Sequence, residues 1–389
     1  MSERRPVYLD HNATTPVRPE VVDAMLPFLR EHYGNPGSVY VLGQRARQAV
    51  ERAREQVAAL MGAGDASEIV FTSCGSESDV LAIAGGAWQA LDESKGKRNR
   101  VVSTRIEHDA VRGILQQLYR RGFQIAEVGC DRDGLVSAQS AAAALDASTS
   151  LLSVMHANNE VGTLQPIEAM AAECKARGVL FHTDAVQSAG KVPLKAKEWG
   201  VDLLAISGHK INAPKGVGAL YVRRGVRLAQ TITGHQEKNR RGGTENVASI
   251  VALGKACELA AAELSHVQQL RALRDRLEAG VAKIPGCRAN GHRTLRLPNS
   301  AHFSFDGLDG HQLVVALDLE GLCVSAGPAC SSGASMASHV LTAMGVPAER
   351  ATGSLRVSLG WGSTSEDVDR LLAILPKAVE KLRGIPAAF

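Results

Sequence analysis

The chain has few aromatic residues, which make up 4% of its 389 positions. Its core must therefore consist mostly of Ala, Val, Leu and Ile. The chain also lacks an excess of one charge, since Lys and Arg number 44 against 40 Asp and Glu. The resulting net charge of +4 is too small over this length to indicate a nucleic-acid partner. Ordinary hydrophobic and charged fractions, 45% and 22%, exclude a wholly disordered chain.

Cysteine is also scarce, and its spacing indicates no structural role. The seven cysteines are odd in number and contain no C-x-x-C pair. Neither a disulfide framework nor a zinc knuckle is predicted, and we expect no metal site. No apolar run approaches the ~20 residues that a membrane-spanning helix needs, and the N-terminal residues lead into Val7 without an apolar signal segment. We therefore expect a soluble cytoplasmic protein without a membrane partner.

Hydrophobic periodicity predicts that strands and helices alternate along the first part of the chain. The alternation favours a mostly parallel sheet with helices on both faces. The apolar run 217–222 follows the preceding strand too soon for a helical crossover, so we expect it to be antiparallel. The other predicted strands are 68–72, 100–104, 151–155, 179–183 and 203–207, and predicted helices include 43–61 and 166–176.

The pattern changes at about residue 246, where long helices rich in Ala, Leu, Glu and Arg begin. A chain of this length exceeds the usual size of a single core. We predict a large α/β domain over 16–260 and a smaller α+β domain formed by 1–15 and 261–389. The elements expected in the smaller domain are strands near 300–305 and 354–359 and a closing helix at 365–383.

Polar side chains follow several predicted strands at their carboxyl ends, which is where open α/β sheets bind ligands. Asp184 follows one strand, Lys210 ends a Ser-Gly-His-Lys string after another, and Ser76 lies in a Gly-Ser turn after a third. Such a trio suits pyridoxal phosphate (PLP): the lysine forms the Schiff base, the carboxylate pairs with the pyridinium nitrogen, and helix N-terminal amides hold the phosphate. Taken alone, Lys210 would ordinarily be interpreted as a surface lysine and Asp184 as a helix N-cap.

Seven motifs together resemble the cysteine desulfurases of fold type I, within the class V aminotransferase superfamily. The resemblance runs from about residue 7 to about residue 383 and implies a seven-stranded, mostly parallel sheet flanked by helices, plus a smaller α+β domain. The strings at 73–79 and 234–237 are more similar to the nitrogen-fixation type than to the housekeeping type. The motifs are LDHNATTP at 9–16, IEH at 106–108, HANNE at 156–160, DAVQ at 184–187, SGHK at 207–210, RRGGTEN at 240–246 and AGPACSSG at 326–333.

The resemblance implies a role for each matching residue. Lys210 is the Schiff-base lysine, Cys330 the nucleophile on a mobile Gly/Ser-rich loop, and His108 stacks over the cofactor ring and shuttles protons. Asn159 and Arg356 hold the substrate carboxylate. Among the implied cofactor-binding residues, Gln187 donates to the ring hydroxyl and Thr244 comes from the other subunit of a homodimer. The full set is Gly75, Ser76, Asp184, Gln187, Ser207, His209, Lys210 and Thr244.

The implied activity converts L-cysteine to L-alanine and leaves the sulfur as a persulfide on Cys330. An iron–sulfur scaffold or another sulfur-acceptor protein would then take the sulfur. Alternatives are a selenocysteine lyase or a cysteine-sulfinate-acting enzyme of the same fold, for which Cys330 is dispensable, an aminotransferase, and a non-catalytic sulfur-assembly scaffold. An inert buried cysteine is the ordinary alternative for Cys330. Pro328 departs from the family, which commonly has Ser there, and proline fixes φ and removes a donor.

Overall fold

Strands and helices alternate through most of the residues that the structure, a computed structural model, describes: 6–263, 267–327 and 337–384. The strands are β1 (Val7–Tyr8), β2 (Ile69–Thr72), β3 (Arg100–Thr104), β4 (Gln124–Val128), β5 (Thr149–Ser153), β6 (Leu180–Asp184), β7 (Leu203–Ser207), β8 (Gly218–Val222), β9 (Cys287–Asn290), β10 (Ser300–Phe305), β11 (Leu322–Cys323) and β12 (Ser354–Ser358). The helices are α1 (Pro19–Arg30), α2 (Val41–Met61), α3 (Gly75–Glu93), α4 (Asp109–Arg120), α5 (Ala138–Ala143), α6 (Ile167–Arg177), α7 (Ala196–Trp199), α8 (Gln236–Asn239), α9 (Val247–Ala262), α10 (Val267–Val281), α11 (Gly310–Leu319), α12 (His339–Ala343), α13 (Ala348–Thr352) and α14 (Ser365–Arg383).

A seven-stranded sheet in the order β2-β8-β7-β6-β5-β3-β4 carries the main layer of the fold. Its neighbours pair in parallel except for β8, which runs antiparallel to both β2 and β7, as predicted. Strands β5, β7 and β8 are buried along their whole length because helices cover both faces of the sheet. The edge strand β4 was not predicted, since its partly exposed Gln-Ile-Ala-Glu-Val sequence lacks a continuous apolar run.

A second apolar cluster lies around smaller sheets. It joins the antiparallel sheet β12-β10-β9 and the parallel pair β1-β11 to helices α10, α11 and α14. Helix α14 begins at a capping box of Thr364 and Asp367 and buries Val368, Leu371 and Leu375 at helical spacing. Each such buried side chain contributes about 1.5–3 kcal/mol relative to remaining exposed.

Helix α9 packs on α1 and α2, and its apolar residues belong to the main cluster. The helix that begins where the sequence pattern changes, near residue 246, therefore belongs to the main cluster. The domain division over 16–260, 1–15 and 261–389 stays a prediction, which the separate second cluster supports. Within the described ranges, no helix is both long enough and apolar enough to cross a bilayer.

Candidate active site

A cavity of about 260 Å³ opens at the carboxyl ends of β6 and β7, beside the first turn of α3. Parallel strands bring their carboxyl ends to one edge of the sheet, so residues that are far apart in sequence meet there. Arg356 reaches the same cavity from β12 of the second sheet. The sequence-predicted residues that line the cavity are Gly75, Ser76, His108, Asn159, Asp184, Gln187, Ser207, His209, Lys210 and Arg356.

The turn that opens α3 packs closely against the ends of β6 and β7. Cys74 caps this helix, because its Sγ accepts a hydrogen bond from the Glu77 N–H at 3.4 Å. A Cβ atom on Gly75 would lie 2.8 Å from Val186 Cγ2 and 3.1 Å from Ser207 Cβ. Glycine at this position therefore lets the helix N-terminus approach the strand ends. The amides of this first turn are donors suited to a phosphate.

Asp184 is the last residue of β6 and is 6% exposed. Its Oδ1 accepts a hydrogen bond from the Val186 N–H at 2.8 Å. Burial raises the pKa of the Asp184 carboxyl, while His108, the Val186 N–H and Lys210 act against that rise. A cationic group in the cavity would likewise favour the ionised form of Asp184.

Two further acids lie beside Asp184. Burial and the charge of Asp184 raise the pKa of Asp79 well above its ordinary value. Burial also raises the pKa of Glu107 to about 8, although Glu107 Oε1 accepts hydrogen bonds from Thr104 Oγ1 at 2.5 Å and the Met155 N–H at 3.0 Å. Glu107 therefore favours its neutral form near pH 7. Asp184, which faces cationic neighbours, is the acid best placed to carry a negative charge.

Lys210 lies in a 3-10 turn directly after β7 and is held by the N-terminal motif at 9–16. Its Nζ donates to the carbonyls of Asn12 at 2.5 Å and Ala13 at 2.8 Å. The preceding His209 has its Nδ1 3.2 Å from Thr14 Oγ1. Burial, with the charge of Lys210 next in importance, lowers the pKa of His209 to about 4. His209 is therefore a neutral ring beside the ammonium group.

His108 is both a cavity residue and the N-cap of α4. Its Nδ1 accepts a hydrogen bond from the Ala110 N–H at 3.1 Å. A neutral ring that accepts at Nδ1 carries its proton on Nε2, a tautomer that this hydrogen bond assigns. The Nε2–H is therefore the group of His108 that can donate a hydrogen bond into the cavity.

Arg356 is a buried cation, 2% exposed, and two neighbours orient its guanidinium. Nη2 donates to Asp10 Oδ1 at 2.8 Å, and Nη1 donates to the Asn159 carbonyl at 3.1 Å. Its Nε has no hydrogen-bond partner among the described residues. A guanidinium held in this way can bind a carboxylate through paired N–H groups.

Two predicted site residues are not brought to the cavity by the described part of the chain. Thr244 is exposed and does not line it. Cys330 and Pro328 lie outside the described residues. On the C-terminal side of that gap, Ser338 Oγ donates to buried Glu160 at 2.6 Å, and His339 lines the cavity.

Several cavity residues were not predicted from the sequence. Asn12 and Asp79 stand inside motifs that the sequence does display, so those motifs were the available signal. Lys191 does not line this cavity, but it follows Gln187 by four residues and contacts it, a spacing that could have indicated the contact. His339 had no local signal, because only the tertiary structure places it beside Glu107, whose carbonyl lies 3.0 Å from its Nε2.

Comparisons with known proteins agree with this geometry. The class V aminotransferase family model matches residues 7–371. A cysteine desulfurase of Trichormus azollae is 47% identical in an alignment of 385 positions that covers 97% of this chain and 94% of that protein. Cysteine desulfurase IscS of Methanosarcina thermophila is 46% identical, over 99% of this chain and 94% of its own. A solved NifS-like protein superposes with a TM-score of 0.90 at 36% identity, covering 97% of this chain and 100% of its own.

Proposed function

Because the chain belongs to the class V aminotransferase family and is a PLP-dependent cysteine desulfurase, we propose that the cavity described above is its active site and that Cys330 accepts the sulfur. The observation that supports this site most directly is that one cavity collects Asp184, Lys210, His108 and Arg356. Relatives named cysteine desulfurase match nearly the whole chain, so the selenocysteine lyase, cysteine-sulfinate, aminotransferase and scaffold alternatives are not favoured.

The side chains present fit PLP. The close packing at Gly75 leaves helix amides and Ser76 to hold a phosphate, with Ser207 next to Gly75 and His209 lining the same cavity. Asp184 is a buried carboxylate that a ring cation would stabilise, and Lys210 provides the amine for covalent attachment. When bound, PLP supplies an electron sink for negative charge that develops at the substrate α-carbon.

We assign the orientation of the substrate to Arg356 and Asn159. The guanidinium fork binds the cysteine carboxylate, and its contacts with Asp10 and the Asn159 carbonyl keep it in one orientation. Fixing the carboxylate fixes the α-carbon and restricts the directions in which its C–H bond can point. Arg356 therefore contributes to binding and to the alignment of the proton transfer.

We assign removal of the α-proton to Lys210 and stabilisation of the Cys330 thiolate to His108. Lys210 Nζ, held between the Asn12 and Ala13 carbonyls, removes the α-proton. An unperturbed thiol with a pKa of ~8.5 is only roughly 3% thiolate at pH 7. Nε2 of neutral His108 already carries a proton, so we assign it to donate a hydrogen bond that stabilises the Cys330 thiolate.

The sulfur transfer balances without an external oxidant or reductant. The Cys330 thiolate forms a bond to the substrate sulfur, and the substrate C–S bond breaks. Its electron pair stays with the carbon, which takes up a proton and becomes the methyl group of alanine. The products are L-alanine and a Cys330 persulfide, which together contain the same atoms as L-cysteine and the Cys330 thiol.

The destination of the sulfur and the assembly state belong to the same proposal. Relatives named IscS support transfer to an iron–sulfur scaffold or another sulfur-acceptor protein in the cytoplasm. The exposed position of Thr244 supports a homodimer in which that residue serves the second copy. The likeness to NifS-like structures supports the nitrogen-fixation type.

Anaerobic incubation with L-cysteine, followed by mass spectrometry of the intact protein and its peptides, tests the proposal. We expect one added sulfur, located on Cys330, together with alanine. Cys323→Ser is the matched control, because it removes a thiol from the described residues outside the cavity and should label normally. Equal labelling of Cys330→Ala would show that another residue is the nucleophile. Turnover of selenocysteine that Cys330→Ala retains, while its turnover of L-cysteine disappears, would favour the selenocysteine lyase alternative.

A further inference from the structure

Lys191 is a buried lysine, 8% exposed, that the mechanism above does not use. Its Nζ donates to Gln187 Oε1 at 3.1 Å and lies 3.5 Å from Asn12 Oδ1. Both acceptors are neutral amides, and no carboxylate of the described residues forms an ion pair with it. A buried charge without a counter-ion is costly. Its presence beside a cofactor-binding residue therefore points to a role in the site.

A protonated Lys191 and the Asn12 carbonyl both favour one orientation of the Gln187 amide. A protonated lysine can only donate hydrogen bonds, so Gln187 must turn Oε1 toward it. Its Nε2 is then directed away from Lys191 and donates to the Asn12 carbonyl at 2.9 Å. The same carbonyl accepts from Lys210 Nζ at 2.5 Å. Since an amide fits equally well when flipped, the shape of the pocket does not fix this orientation.

We propose that Lys191 is a positioning residue that keeps the N–H₂ end of Gln187 available to the ring oxygen of the cofactor and places a positive charge near that oxygen. The inference rests on the proposed function, because it requires PLP in the cavity. Gln187 is the residue that touches the cofactor, and Lys191 acts through it.

The charges around Lys191 agree with this role. Burial, and then the charges of Lys210 and Arg356, lower the pKa of Lys191 to about 7. The other titratable groups that respond to Lys191 are His11 and His209, each with a pKa lowered to about 4 chiefly by burial. All of these groups are cationic or neutral. An anionic ring oxygen of a bound cofactor would supply the negative charge that the protein does not place beside Lys191.

The test is a pH titration of the near-visible absorption band of the holoenzyme in the parent, Lys191→Met, Gln187→Leu and the double variant. Removal of the ammonium group favours the protonated form of the nearby cofactor–lysine linkage, so Lys191→Met should raise the titration midpoint by about one pH unit. The double variant should shift no further than the larger single shift, because the two residues act as one unit. Lys195→Met, at an exposed position on the same segment, should titrate like the parent.

Lys191→Gln is the second variant, since its shorter side chain retains a neutral N–H donor and removes the charge. We expect a smaller shift in the same direction as that of Lys191→Met. Equal midpoints in the parent and in both Lys191 variants, or additive shifts in the double variant, would overturn the inference and leave the proposed function intact. Absence of the band from the parent protein would refute the proposed function and the inference together.

Discussion

The buried ion pair between Arg54 and Glu237 makes a sharp prediction about stability. Arg54 on α2 donates from Nη1 to Glu237 Oε2 at 2.7 Å and from Nη2 to Oε1 at 2.9 Å. The Phe71 N–H donates to the same carboxylate at 3.0 Å. Glu237, Lys238 and Asn239 all have positive φ, at 47°, 58° and 60°, which is unfavourable for residues other than glycine. The ion pair therefore stabilises a strained segment that leads to Thr244.

We expect Glu237→Gln to lower the free energy of unfolding by about 3–5 kcal/mol, because removal of one partner of a buried pair leaves the other charge uncompensated. The side chains of Arg54 and Glu237 are 8% and 2% exposed, so solvent screens their attraction little. Burial acts to lower the pKa of Arg54, yet the hydrogen bonds and charge of Glu237 raise it overall. The substitution keeps the size of the side chain, removes its charge and replaces one acceptor oxygen by an N–H₂ group that cannot accept from Arg54.

Urea denaturation followed by circular dichroism measures the change in the free energy of unfolding. Glu198→Gln breaks the exposed ion pair with Lys195 and serves as the control, for which we expect no measurable change. The double variant Arg54→Met/Glu237→Leu should be more stable than Glu237→Gln, since neither charge remains buried. A loss below about 1 kcal/mol in Glu237→Gln would place this pair with the weak surface pairs and refute the reasoning.

Two further predictions concern Arg356 and His302. Arg356→Lys should raise the KM for L-cysteine about 10–100-fold and retain the near-visible band, because an ammonium group cannot bind both carboxylate oxygens; an unchanged KM in steady-state alanine assays would contradict this role. Burial, with Arg356 and Arg296 next, lowers the pKa of His302 to about 3. Below the ordinary histidine pKa of ~6.5, His302 binds a proton in the unfolded chain but not in the folded protein. The free energy of unfolding therefore decreases as the pH is lowered. Between pH 6 and 4, the free energy of unfolding of His302→Gln should fall less steeply than that of the parent protein, by about 1.4 kcal/mol per pH unit. Equal pH slopes of the two free energies in denaturation experiments would exclude this linkage.

Several features of the fold follow from local sequence. The capping box at Thr364 and the apolar spacing after it predict the closing helix at 365–383, which the structure has as Ser365–Arg383. The continuous apolar run 203–207 predicts strand β7, because a strand covered on both faces needs no polar alternation. Local patterns succeed in these cases because they record which side of an element avoids water. The same pattern fails for β4, whose edge position leaves it partly exposed.

The sequence by itself determined the alternation of strands and helices, the motifs, and through them the cofactor and the reaction. Only the tertiary structure decided which distant groups share one buried space. Asn12 and Gln187 are 175 positions apart, and Arg54 and Glu237 are 183 apart, yet each pair forms a hydrogen bond. Periodicity indicates that a side chain is buried and does not identify its neighbour. The charge that Lys191 or Asp184 carries depends on burial by remote elements and on the groups that surround it, and these exist only once the chain has folded.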